Sequence, residues 1–203
     1  APGALFSSPH APYAFDMAPP GFEGGGHQWF SLQDMSAEAR LAGTQTTAPV
    51  LDAFIDQKLA ETGLGEGKLA LIGFSQGTMM ALHVGLRGQD QRAGIIGYSG
   101  MLVGRELLAD AIKSRPPVLL VHGDDDVVVP VEALVKAVVG LEAVGILACF
   151  VEETPDIVHL RLRNIKNPFK GVNFIAGNVA VCLGHFRREN DDGDGKSGLP
   201  RLQ

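Results

Sequence analysis

The chain has 203 residues, 45% apolar and 20% charged, with a formal net charge of −6. That length suits one well-packed core rather than two, and the balance excludes wholesale disorder. A net negative chain without clustered Lys and Arg lacks the means to neutralise phosphates, which argues against nucleic acid as the main partner.

The start, Ala1 to Phe6, lacks the charged residue and long apolar stretch of a secretory signal. No apolar run approaches the roughly 20 residues needed to cross a bilayer, so a cytoplasmic protein without a membrane span is expected. Ala4 to Ser7 reads as a short strand, stopped by Ser8-Pro9-His10-Ala11-Pro12. Pro19 to Gly26 reads as a loop. Ser36 reads as the N-cap of a helix whose apolar face runs through Leu41, Leu51, Phe54, Ile55 and Leu59, kinked or restarted at Pro49. After Gly63 to Gly67 the chain alternates. Strands are expected at Lys68–Ile72, Ala93–Tyr98, Val118–Val121 and Ile146–Val151, with helices at Gln76 to about Leu86, Glu106–Ile112 and Val131 to about Val144. Short all-apolar strands separated by helices predict an α/β fold: a mostly parallel sheet covered by helices on both faces.

Beyond about Glu152 the pattern weakens. Asn173 to Val181 has strand character, and the loose basic stretch Arg161, Arg163, Lys166 and Lys170 reads as a solvated loop. Residues 190–203 read as a disordered tail, and residues 1–189 as a single domain. Cys149 and Cys182 sit among apolar neighbours without metal-ligand spacing, as buried free thiols do.

The chemistry concentrates at Gly73-Phe74-Ser75-Gln76-Gly77. A bare Gly-x-Ser-x-Gly is a weak signal, but here an apolar strand runs straight into it and a helix follows. Strand, tight turn and helix lift a serine Oγ off the sheet, and the glycines let the flanking backbones pass close together. The helix N-terminus favours negative charge, and the backbone N–H of Gln76 is placed as an oxyanion donor. Downstream, the loop His122-Gly123-Asp124-Asp125-Asp126 leaves the C-terminal edge of a buried strand, where ligands and catalytic groups collect in open α/β sheets. A carboxylate there fits the order Ser…Asp…His, but three adjacent aspartates leave the choice open. Of the histidines, only His159 and His185 follow the acid.

These stretches, with Ser8-Pro9-His10-Ala11-Pro12, Gln28-Trp29-Phe30, and Pro117 to Gly123 continuing through Asp126 to Val128-Val129-Pro130, resemble the phospholipase/carboxylesterase family of α/β-hydrolases, acyl-protein thioesterases among them. The likeness covers about residues 4–145. It implies Ser75 as nucleophile, Asp126 as triad acid, and Trp29 and Phe30 as lining of the acyl or leaving-group pocket. It favours His159 as base, on distance, over His185, whose Leu183-Gly184-His185-Phe186 has the better local look. The implied reaction is hydrolysis of a small-molecule ester or thioester through an acyl-enzyme, without metal or cofactor. A catalytically impaired remnant acting as a binding domain is the alternative. The family also has a strand ending in a His-Gly-x-Gly-Ala type loop, which supplies a second oxyanion N–H, and nothing in these residues corresponds to it. By the family order it would lie between Ala4–Ser7 and Lys68–Ile72. An incomplete sheet is therefore expected, with those strands closing the gap or leaving backbone groups unpaired.

Overall fold

Leu69–Phe74 (β4) is the strand from which the rest of the sheet is laid out. The computed structural model describes residues 3–18, 21, 26–153, 158–161 and 180–183. In chain order the elements are β1 (Leu5–Ser7), β2 (Tyr13–Ala14), β3 (His27–Gln28), α1 (Ala37–Thr62), β4, α2 (Gln76–Gly85), β5 (Gly94–Tyr98), α3 (Leu108–Ala111), β6 (Val118–Gly123), α4 (Glu132–Ala143), β7 (Ala148–Glu153), β8 (Val158–Arg161) and β9 (Ala180–Leu183). The main sheet has the order β1-β9-β4-β5-β6-β7-β8, and β2 and β3 form a separate antiparallel pair. Strands β4 to β7 are parallel neighbours.

From Leu69 to Ile72 both alternating sets of β4 side chains are buried, which is why the strand reads as continuously apolar, and only Phe74 at its end is exposed. Leu69 and Leu71 join Ile95, Val118 and Leu120 in the large core, with Leu51 and Ile55 of α1, Met80 and Leu82 of α2, Leu108 of α3 and Leu134 of α4. Ala70 and Ile72 point the other way, into a smaller cluster with Ile96. Among the described residues the four helices thus cover one face, and the expected second layer is represented only by this smaller cluster.

Three details differ from the sequence expectation. Helix α1 runs unbroken through Pro49, which lies on the exposed side of the helix, where a missing backbone hydrogen bond is tolerated best. Ser36 caps the helix as expected, its Oγ accepting from the Ala39 N–H at 3.1 Å. Arg161, read as part of a loop, lies in β8. The place between β1 and β4 is neither closed nor empty. Strand β9 lies in it antiparallel to both, Leu183 pairing with Leu5 on one side and Leu69 on the other. A buried strand cannot leave a row of N–H and C=O groups without partners, and this segment supplies them. Residues 162–179 and 184–203, with His185, lie outside the described residues, as does most of the Asn173–Val181 stretch.

His83 of α2 is buried, and its Nδ1 has no hydrogen-bond partner. Burial, assisted by the nearby Arg87 charge, pushes its pKa down to about 4. The native state therefore refuses a proton that the unfolded chain accepts near 6.5, so His83 removes stability as pH falls from about 6.5 to about 4, up to about 3 kcal/mol. Asp52 and Glu66, whose carboxyls burial pushes up, act in the opposite sense, and do so equally in the parent chain and in a His83 variant. Urea midpoints at pH 7 and pH 4.5 isolate the histidine: His83→Phe should lose much less stability over that interval than the parent chain.

Candidate active site

Strand β4 ends against the first turn of α2 so closely that no side chain fits between them. A Cβ built on Gly73 would lie 2.3 Å from the carbonyl carbon of Gly77 and 2.4 Å from the Thr78 nitrogen. The turn is completed by Ser75 at φ 52°, ψ −115°, a backbone conformation that L side chains avoid. Its N–H donates to the Tyr98 carbonyl at the end of β5 (2.9 Å), and its carbonyl accepts from the N–H of Thr78 in the first turn of α2 (3.0 Å). The Thr78 hydroxyl lies 2.9 Å from the Gly73 carbonyl and 2.8 Å from that of Tyr98, tying both strand ends to the helix. Ser75 and Gln76 are half-buried at this edge of the sheet.

Asp126 sits on the loop after β6. Its Oδ1 accepts from the N–H groups of Val128 and Val129, each at 2.9 Å. Burial alone would raise its carboxyl. The two N–H groups, a hydrogen bond to Ser99 and the nearby His122 outweigh that, and hold it below the usual carboxylate range. His122 is buried, with Nε2 2.7 Å from the Val129 carbonyl and 3.6 Å from Asp126 Oδ2, so its ring holds the acid loop rather than facing Ser75. Ser99 was not legible as a site residue. It occupies the end of β5 next to Ser75, likewise at positive φ (43°), and its only sequence signal is the Ser-Gly that follows an apolar strand.

The structure does not bring His159 to Ser75. His159 stands in β8 opposite Glu152 of β7, and β8 is the far edge of the sheet. Four strand spacings separate β8 from β4, roughly 19 Å at about 4.8 Å each, beyond the span of an imidazole. Trp29 and Phe30 likewise do not line an open pocket: they are 1% and 4% exposed and belong to the main core, where large apolar rings lose most water contact. It is their backbone that reaches the elbow. The Trp29 N–H donates to Gln76 Oε1 (3.0 Å), and Gln76 Nε2 donates to the Phe30 carbonyl (2.7 Å). A cleft of about 540 Å³ opens nearby between α1, the loop after β5 and α4, lined by Leu41, Met101, Leu102, Arg105, Pro130 and Lys136 among others, but not by Ser75. Among the described residues, no His, Cys, Asp and Glu side chains cluster as a metal site, and no helix is long and apolar enough to cross a membrane.

A mostly parallel sheet whose central strand turns through a positive-φ serine into a helix, with an acidic loop two strands away, is the α/β-hydrolase fold. The phospholipase/carboxylesterase family model matches residues 3–167, and the chain belongs to that family. It is 30% identical over 118 residues to esterase YpfH of Escherichia coli (strain K12), covering 58% of this chain and 48% of that protein. To acyl-protein thioesterase 1 of Gibberella zeae it is 28% identical over 144 residues, covering 63% and 58%. The chain thus spans about half the length of these relatives. Among solved structures, esterase PE8 is 44% identical at a TM-score of 0.66, over 72% of this chain and 67% of that one. SOBER1 of Arabidopsis thaliana, 22% identical over 73% of this chain and 71% of its own at a TM-score of 0.54, shares the fold.

Three substitutions test the elbow as a strained, close-packed turn. Gly73→Ala should lower stability by about 3 kcal/mol, because its Cβ meets backbone that has nowhere to go. Ser75→Gly should be more stable than Ser75→Ala by about 1 kcal/mol, since only glycine accepts this φ without strain. Denaturant midpoints of the three variants check both; equal stability of the two Ser75 variants would mean that the turn stores no strain.

Proposed function

We propose that this chain is a serine hydrolase of carboxylic esters or thioesters, with Ser75 as nucleophile, Asp126 as triad acid and His159 as base. The observation that carries the reading is the positive-φ turn that holds Ser75 between the end of β4 and the N-terminus of α2. Esterase PE8, at 44% identity, supports the substrate class. In this reading Ser75 Oγ attacks the acyl carbon and its proton passes to the imidazole. The alcohol or thiol leaves with that proton, and water then hydrolyses the acyl-enzyme by the reverse proton path. The Gln76 N–H receives the tetrahedral oxyanion. No metal or cofactor takes part. The substrate is a small molecule, and a cytoplasmic location accompanies this reading.

His159 sets a condition on this mechanism. With β8 paired to β7, residue 159 stands four strands from β4, so turnover by this base requires the segment after β7 to leave the sheet edge. The same register favours a second reading, an impaired hydrolase that retains a binding role.

A fluorophosphonate probe and p-nitrophenyl acetate separate the two. The hydrolase reading expects labelling at Ser75 alone, absent in Ser75→Ala, and hydrolysis that His159→Ala lowers by several orders of magnitude, as triad deletions do. Labelling at another serine would overturn Ser75 as nucleophile. Labelled Ser75 with hydrolysis indifferent to His159→Ala would assign the base elsewhere. A chain that neither labels nor turns over supports the binding reading.

A further inference from the structure

The residue after the nucleophile spends its whole side chain on a segment far from it in sequence. Gln76 Oε1 and Nε2 form two hydrogen bonds with one stretch of backbone, accepting from Trp29 and donating to the Phe30 carbonyl across separations of 47 and 46 residues. That stretch leaves β3, packs its two rings into the core, and runs on to the cap of α1. Its other ties are local. Gln28 pairs with Tyr13 across the β2–β3 ladder, and the Asp16 carboxylate is hydrogen-bonded to Ser31 and Gln28. On the far side Phe30 lies over Gly43 of α1, where an added Cβ would come within 2.5 Å of the Phe30 Cβ, so the strap cannot be pushed further toward the helix. It is therefore held between α1 and the elbow, and the elbow's half of the grip is one carboxamide.

We infer that the Gln76 side chain is a positioning residue that locks the Trp29–Phe30 strap to the elbow and thereby fixes the direction of the Gln76 backbone N–H. The inference rests on the reading of that N–H as an oxyanion donor. The peptide that carries this donor is held through its Ser75 carbonyl by the N–H groups of Thr78 (3.0 Å) and Met79 (3.3 Å); Ser75 adds no side-chain cap, so the Gln76 carboxamide is the side-chain restraint on it. A side chain pinned at both of its polar atoms limits the rotation of its own peptide. It acts through the N–H without touching substrate.

Trp29 is the sole tryptophan of the chain, so its fluorescence reports the strap directly. The main variant is Gln76→Met, which keeps length and removes both hydrogen bonds. Gln76→Glu keeps the acceptor for Trp29 and loses the donor to Phe30. Neither alters the backbone N–H. In Gln76→Met the Trp29 emission should shift to the red, its amide should exchange faster with solvent, and kcat for p-nitrophenyl acetate should fall on the order of ten-fold with KM little changed. That is less than the roughly 10²–10³ lost when an oxyanion donor is removed outright, because here the donor is displaced but present. Gln76→Glu, which sets an ionised oxygen against the Phe30 carbonyl in place of the donor, should loosen the strap at least as much as Gln76→Met. Unchanged emission and exchange at Trp29 in Gln76→Met would overturn the lock. A loosened strap with unchanged kcat would overturn the positioning role. A parent chain without turnover sinks the hydrolase reading instead, and Trp29 emission and exchange then decide the lock alone.

Discussion

The distance between the end of β4 and the start of α2 governs this molecule. Gly73 lets the two backbones approach to within a Cβ's width of each other, and Ser75 takes up the resulting sharp reversal in a conformation that it would not adopt free. Strain of this kind persists only when the surroundings over-determine it. Here they do: the Tyr98 carbonyl holds the Ser75 N–H, the Thr78 hydroxyl lies against both strand ends, and Met79 and Met80 anchor the helix in the core. Loosening any of these would let the turn relax toward an ordinary helix start and withdraw the serine from the edge of the sheet.

Around that point the polar groups are arranged to be stiff. Asp126 is restrained by consecutive backbone N–H groups and by Ser99, so its carboxylate is charged and fixed before anything binds. His122 is spent on the loop's own Val129 carbonyl. Preorganisation of this sort suits stabilisation of developing charge, where donors and acceptors gain most when they do not have to reorient. What this arrangement lacks, among the described residues, is an imidazole between Ser75 and Asp126, and the register of β8 states the deficit in structural terms.

Much of this was legible in the sequence, because the signals involved are local. Apolar runs of strand length, the glycines around Ser75 and the Ser36 cap report conformations set within a few residues. What escaped depends on partners distant along the chain. Nothing near His159 announces that its segment pairs back on β7, since strand pairing is a property of two segments and not of one. Gln76 reads as a generic first residue of a helix until Trp29 and Phe30 stand beside it. Trp29, assigned to a pocket wall by resemblance, lies in the core instead, and the same ring chemistry serves either place. Pro49 announced a break that solvent exposure made unnecessary.

Strand β9 has a consequence for how this fold can be reached. It is the inner neighbour of both β1 and β4, yet it comes from residues that follow every other described strand in the chain. Pairings so remote in sequence form late, because loop-closure entropy is lost before the contacts return it. Among these strands, β4 and β1 are therefore joined only once Ala180–Leu183 has docked between them. An apolar strand edge that waits for its partner is the kind of surface that chaperones hold and that other unfinished chains can join.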